Sequence, residues 1–246
     1  MLNGMASHGG VVPVGVTYLV FADYMRPTLR LAAMMRLPVL FVFSHDSIGV
    51  GTNGPTHQPV EFLASLRAIP NMLVLRPADA VEAAEAWEVA LARRDGPSCL
   101  IFARQALQPV RTSAEFGSVA RGAYLVAEAD GERRATLLAT GSEVAIALQA
   151  RAMLQAEGVP TAVVSMPSWE LFEQQSEAYR RSVLGSGVRV GVESAVRLGW
   201  DRYIGPFGGF VGMSTFGASG PDIDLYRHFG ITPENVSDEV RRLLRR

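Results

Sequence analysis

The sequence predicts an α/β protein of two domains: a doubly wound, mostly parallel sheet, then a smaller α/β unit. Three observations carry this. Short apolar runs rich in β-branched and aromatic residues alternate with helical patterns through short connections. An aperiodic stretch, Arg104 to Gly122, interrupts the alternation and the same pattern then resumes. The length, 246 residues of which 48% are hydrophobic, suits one large domain or two ordinary ones with real cores.

Residues 1–10 are small and glycine-rich and predict a loop. Val11 to Val16 is apolar but holds Pro13, which makes it a poor central strand. A helical pattern starts at Thr17, and Pro27 is expected to kink or restart it. Val39–Phe43 is a buried strand. It opens into a polar loop with Gly49, Gly51 and Gly54, Pro55 and Pro59, and two of the four histidines, His45 and His57. A loop leaving the carboxyl end of a buried strand is where open α/β sheets place ligands. A short helix from Glu61 to Arg67 ends before Pro70, and Asn71–Leu75 is the next strand. Asp79 predicts an N-cap, with Glu82 completing a capping box, for a helix reaching about Arg94. Arg93 and Arg94 suit its last turn. Ser98–Phe102 is a strand, with Cys99 as a small core residue.

Beyond the linker, Ala135–Ala139 is a strand, followed by a helix from Ser142 to Glu157 that Gly158 stops. Thr161–Ser165 and Val188–Val192 are further strands. Gly205 to Gly220 reads as a tight-turn structural element in preference to a small-ligand site. Helices over Asp222–Phe229 and Pro233–Arg245 close the sequence.

The bulk numbers exclude several functions. A formal charge of −1 offers no footprint for nucleic acid or an anionic membrane. The single cysteine rules out a disulfide framework and a cysteine-rich zinc site, and fits a reducing cytoplasm. No run of 18 apolar residues predicts a transmembrane helix, and a basic signal-peptide n-region is absent. All 23 basic residues counted as Lys or Arg are arginine. A Schiff base needs a lysine amine, so these residues cannot by themselves run lysine-dependent aldol or pyridoxal chemistry.

Four constellations could carry chemistry. His45 and His57 either titrate and bind an anion or are surface histidines of a turn-rich connection. Their spacing of twelve residues suits no zinc pattern. Tyr18, Phe21 and Tyr24 recur in steps of three, which predicts either a core-packing helical face or a platform for a flat heterocycle. Arg104 ends an apolar strand and is either a phosphate fork or a solvated arginine. Thr140-Gly141-Ser142 precedes a helix as a weak anion-binding start or, better, as an N-cap using Ser142 or Thr140.

The run His45-Asp46-Ser47-Ile48-Gly49-Val50-Gly51-Thr52-Asn53-Gly54-Pro55-Thr56-His57-Gln58-Pro59 resembles the signature loop of transketolases. Thr17-Tyr18-Leu19-Val20-Phe21, Arg76-Pro77-Ala78-Asp79, Arg104-Gln105, Thr140-Gly141-Ser142-Glu143, Val192-Glu193 and Phe216-Gly217-Ala218-Ser219-Gly220 resemble the family in the same order. The resemblance implies most of a pyrimidine-binding domain over residues 1–116 and a transketolase C-terminal domain over 117–246. It implies thiamine diphosphate as cofactor, with magnesium or calcium held by a diphosphate-binding domain that nothing in this sequence matches. By the same resemblance Tyr18, Phe21 and Tyr24 line the aminopyrimidine pocket. His57 assists proton transfer beside the reacting carbons, and His45 and Arg104 hold the sugar phosphate. The reaction implied moves a two-carbon ketol unit from a ketose phosphate to an aldose phosphate.

Two departures from the family pattern matter. The family's cofactor-activating glutamate has no match here; its place lies upstream of Met1, and Glu61 does not take it. Asn53 stands where the family loop carries an aspartate that contacts the donor's C2 hydroxyl. The expectations are a cytoplasmic transketolase portion that is inactive alone and works as a homodimer or with an N-terminal transketolase chain. The alternatives are a dihydroxyacetone-synthase-like or other thiamine-dependent relative, or a non-catalytic interaction module with an exposed sheet edge.

Overall fold

The computed structural model describes residues 1–111 and 116–246. Thr112 and Ser113 of the expected linker lie outside the described residues. The first sheet is built from β1 (Val14–Tyr18), β2 (Leu40–Ser44), β3 (Leu73–Leu75) and β4 (Ser98–Ile101). Its order is β1-β2-β4-β3, and every pairing is parallel. The helices are α1 (Leu2–His8), α2 (Ala22–Met34), α3 (Phe62–Arg67) and α4 (Ala80–Ala92). Alternation along the strands loads both faces. Phe41, Phe43, Val74 and Cys99 pack against α2 and α3, while Leu40, Val42, Leu73 and Leu100 pack against α4. Full burial of Phe41 and Phe43 stabilises the fold by on the order of 2 kcal/mol each.

The second sheet comprises β5 (Tyr124–Ala127), β6 (Ala135–Ala139), β7 (Thr161–Ser165), β8 (Val188–Val196) and β9 (Gly209–Met213). Its order is β5-β7-β6-β8-β9, with only β5 antiparallel. Around it lie α5 (Glu143–Ala156), α6 (Trp169–Glu173), α7 (Glu177–Leu184), α8 (Asp201–Ile204), α9 (Asp222–His228) and α10 (Pro233–Leu244). Leu137, Val163 and Val190 face α5 and α10, whereas Leu138 and Val164 face an aromatic cluster of Trp169, Phe172, Trp200 and Tyr203. Ile48, Val60 and Ala78 of the first unit complete the core under α5, so the two sheets share buried surface.

Several expectations are corrected. Residues 2–8 form a helix, because Leu2 and Ala6 share a face that packs on the first core. Gly15 leaves the room for Leu2: a Cβ there would stand 2.5 Å from its Cδ1. The helix expected from Thr17 begins at Ala22, since Thr17 and Tyr18 pair with Phe43 and Ser44 and the ladder overrides the helical pattern. Tyr18, Phe21 and Tyr24 are therefore divided among a strand, a 3-10 turn (Leu19–Phe21) and a helix. α2 runs unbroken through Pro27, and the carbonyl it would leave unpaired belongs to exposed Asp23. β1 is an edge strand, as Pro13 implied.

The remaining differences lie at element ends. α4 stops at Ala92, where Arg93 turns extended and its guanidinium goes to Asp95, Asn71 and the carbonyl of Pro97. Asp79 caps α4 by accepting from the Glu82 N–H at 2.8 Å, but the return bond of the box goes one residue early, to Ala78 N–H. Ser142 occupies the N-cap of α5 without capping; its hydroxyl donates to Glu143. The stretch Gly205–Gly220 contains β9, whose Gly212 lies so close to β8 that a Cβ would come within 2.4 Å of the Glu193 carbonyl.

Candidate functional site

The site is built where β2 runs out. His45 leaves the strand with φ of 62°, a left-handed conformation that a β-carbon disfavours and that the surroundings must enforce. Asp46 and Ser47 turn inward and are buried. The Ser47 hydroxyl accepts from Gly49 N–H at 3.2 Å and starts a 3-10 turn over Ile48–Asn53, with a second over Pro55–His57. Gly49 is needed for close approach: a Cβ there would lie 2.4 Å from Gln105 Oε1. Gly51 kinks the first turn with φ of 77°, and Gly54, with φ of 79°, separates the two.

This geometry gathers five of the residues singled out from the sequence. The Tyr18 and His45 rings stack with centroids 3.6 Å apart and planes 21° from parallel. Tyr18 stacks on Phe21 at 5.8 Å and 12°, and Phe21 meets Tyr24 at 6.1 Å. His57 approaches Phe21 edge-on at 5.8 Å. Neither Tyr18 nor Phe21 is buried, and Tyr24 is 87% exposed, so these rings form an open platform and not a core face. The imidazoles are oriented locally: Nδ1 of His45 is 2.9 Å from Ser44 Oγ, and Nδ1 of His57 is 3.0 Å from Thr56 Oγ1.

Charge also converges here. Burial lowers the His45 pKa from 6.5, the Arg104 guanidinium and His57 lower it further, and only the Asp46 carboxylate opposes them. Arg104, beyond the end of β4, is exposed and within electrostatic reach of His45. Asn53 is exposed at the end of the first 3-10 turn. An arginine fork beside a neutral, polarisable imidazole is suited to an anion such as a phosphate. Among the described residues no three His, Cys, Asp or Glu side chains are grouped to hold a metal ion.

Sequence reasoning assigned no role to a buried ionic cluster behind this loop. Arg76, wholly buried at the end of β3, donates from Nε to Asp46 Oδ2 at 2.9 Å. Its Nη1 reaches Glu143 at 2.5 Å, the Thr140 hydroxyl at 2.7 Å and the Thr140 carbonyl at 3.0 Å. Glu193 receives two hydrogen bonds from Arg67, at 2.8 and 2.9 Å, and others from Thr140 and Trp200. Burial alone would push the Glu193 carboxyl up, but Arg67, Arg76 and Thr140 outweigh it and hold the pKa at about 2. For Asp46 burial prevails and the pKa is raised, Glu143 adding to the rise and Arg76 only partly opposing it. The available signal was a charged residue directly after an apolar run, at Arg76 and Glu193, and one at the start of a helix, at Glu143.

Among the described residues, concavities also lie elsewhere. One of about 560 Å³ is lined by Asn71, Leu73, Arg93 and Glu170, and one of about 430 Å³ by Gln105, Ser142, Tyr226 and Ile231. Neither is lined by His45 or His57. No helix among the described residues is long and apolar enough to cross a membrane.

Comparison with known proteins gives this geometry a context. Residues 1–110 match the family model described as the transketolase pyrimidine-binding domain, and residues 122–232 match that of the transketolase-like C-terminal domain. The transketolase of Sinorhizobium medicae is 58% identical over 247 aligned residues, covering 100% of this chain and 36% of the relative. A crystal structure of Pichia stipitis transketolase in complex with sedoheptulose-7-phosphate superposes with a TM-score of 0.94 at 36% identity, covering 99% of this chain and 36% of that one. A structure described as a split-gene transketolase, inactive β4 tetramer, superposes with a TM-score of 0.82 at 25% identity, covering 99% of this chain and 79% of that one. The chain thus spans about 36% of the length of the curated relatives it matches.

Proposed function

Because this chain belongs to the transketolase family, carrying its pyrimidine-binding and C-terminal domains, we propose that it supplies the pyrimidine and sugar-phosphate walls of a transketolase active site. The complete site would transfer a two-carbon ketol unit from a ketose phosphate to an aldose phosphate. The observation that carries this is the convergence of the Tyr18–Phe21 platform with His45 and His57 at the carboxyl end of β2. It occurs in a chain that aligns throughout with transketolases.

The residues present fit thiamine diphosphate in part. Tyr18 and Phe21 are nearly parallel and not buried, with exposed Tyr24 at their margin, which suits a flat aminopyrimidine. When bound, the cofactor supplies the carbanion chemistry of two-carbon transfer. The chain's own residues position and polarise. Arg104 contributes a permanent positive charge to the sugar phosphate, and His45 a hydrogen bond from an imidazole that is mostly neutral near pH 7. His57, its Nδ1 set by Thr56, presents Nε2 as a group to hold or relay a proton at the substrate hydroxyl. Asn53 replaces a carboxylate by an amide of the same size, so it can bond a donor hydroxyl without charge.

The diphosphate- and metal-binding groups would come from sequence corresponding to the remaining length of the relatives, joined to this chain or on a partner, in a homodimer or a hetero-assembly. The split-gene relative, which this chain covers to 79% and whose description reads inactive, supports such a division of labour. Assaying the purified chain with thiamine diphosphate, magnesium and a ketose/aldose phosphate pair tests the proposal. No turnover is expected from the chain alone, and turnover is expected once a diphosphate-binding transketolase polypeptide is added. Turnover without that polypeptide, or none with it, overturns the reading.

A further inference from the structure

The loop from His45 to Gln58 belongs to the first sheet by sequence, yet it is held in large part by the second domain. Arg76 grips Asp46, and Arg76 is itself gripped by Thr140 and Glu143. Its backbone is shared in the same way: Arg76 N–H donates to the Pro167 carbonyl at 2.8 Å, and Gly141 N–H donates to the Arg76 carbonyl at 3.2 Å. The Tyr226 hydroxyl donates to Glu143 at 2.8 Å and lies 3.3 Å from the Ser47 hydroxyl. The Gln58 amide donates to the carbonyls of Gly51 and Ala218, and the Ser219 hydroxyl donates to the Thr52 carbonyl at 2.8 Å. Four points of one loop are therefore tied to the other domain.

The ties matter because His45 holds a backbone conformation it would not adopt unaided. Asp46 is the residue next to it, and its carboxylate is the group that Arg76 fixes. We propose that the C-terminal domain positions the sugar-phosphate site: Glu143 and Thr140 hold Arg76, Arg76 holds Asp46, and Asp46 fixes His45 beside Arg104. Glu143 is thus a positioning residue that touches no substrate. The inference rests on the phosphate-binding reading of His45 and gives the C-terminal domain a part in it. A buried guanidinium with acceptors on both sides transmits displacement well, because moving it breaks charge-assisted bonds at both ends.

The test follows the imidazole signals of the chain's four histidines by NMR in the wild type, Glu143→Gln and Tyr226→Phe. His8 and His228 serve as internal references. Both variants are expected to move the His45 signal and its titration midpoint while His8 and His228 stay in place. Fructose 6-phosphate should perturb wild-type His45, and in Glu143→Gln it should bind roughly tenfold more weakly. Should Glu143→Gln fail to fold, Tyr226→Phe decides, since it removes only the hydroxyl between Ser47 and Glu143. A His45 that ignores the sugar phosphate in the wild type overturns the phosphate site itself. A His45 that answers the sugar phosphate but neither folded variant overturns the positioning role alone.

Discussion

At the scale of residues, the protonation state of His45 gives the sharpest expectation. Burial, Arg104 and His57 together hold its pKa below 6.5 against the pull of Asp46. A phosphate dianion docked beside it would favour the charged imidazole and raise that pKa. Binding should then take up a proton, and affinity should increase as pH falls from about neutrality through the His45 range. Calorimetry of fructose 6-phosphate binding at pH 6 to 7, in buffers of different ionisation enthalpy, would reveal the uptake. His45→Gln keeps a hydrogen-bonding side chain but should abolish the uptake and weaken binding several-fold. Equal proton uptake by wild type and variant would remove His45 from the phosphate site. That the two histidines share one glycine- and proline-rich loop leaving a buried strand was legible in the sequence. The 3.6 Å stack of His45 on Tyr18 was not, because the helical pattern read from Thr17 hid the strand that carries the tyrosine.

At the scale of elements, α4 shows how one acidic face fastens the segment between the two sheets. Asp79 Oδ1 accepts from Glu82 N–H at 2.8 Å, and its Oδ2 accepts from Val110 N–H at 3.0 Å. Glu85 accepts from Arg111 and from Val119 N–H, and Glu82 takes the Tyr124 hydroxyl. Asp79→Ala removes the N-cap, worth about 1 kcal/mol, and strands a buried N–H at a further cost of about 1–3 kcal/mol. A loss of about 2–4 kcal/mol is expected in urea unfolding, with Asp79→Asn recovering at least half. Equal losses for Ala and Asn would show that the cap geometry is not what Asp79 contributes. The cap itself was readable from Asp79 and Glu82 in sequence. So were β2, β4, β6 and β7, because central strands of a parallel sheet are buried on both faces and appear as continuous apolar runs. β5 and β9 were not, since one is a short antiparallel edge and the other is diluted by glycine. The short helices α6 and α8 are set by aromatic packing among Trp169, Phe172, Trp200 and Tyr203, against which α7 lays Tyr179 and Val183, and no local periodicity announces that cluster.

At the scale of the whole molecule, the ionic cluster joins the domains through residues far apart in sequence. Asp46, Arg76, Glu143 and Glu193 come from four separate segments, so no window of sequence could display their pairing. The cluster makes the interface sensitive to acid, and Glu193 sets the sign. Its pKa in the fold, about 2, lies below the ordinary 4.5. Its ionised form is therefore favoured by folding, and the stabilisation is fully present above pH 4.5 and lost as pH falls toward 2. The depression corresponds to on the order of 3 kcal/mol. Asp46 has the opposite sign: its raised pKa means that folding disfavours its charge, a cost that protonation relieves as pH falls. Wild-type stability alone would mix the two, so the measurement is a difference. Glu193→Gln should be destabilised at pH 7, because Arg67 and Arg76 lose a buried counter-charge. The gap between variant and wild type should then narrow steadily between pH 4.5 and 2, where the wild-type carboxylate is protonated in the unfolded chain while still largely ionised in the fold. Urea midpoints of both proteins across that window provide the comparison. A gap that stays constant down to pH 2 would mean that Glu193 is not held ionised by the arginines, and that the acid sensitivity of the interface does not come from it.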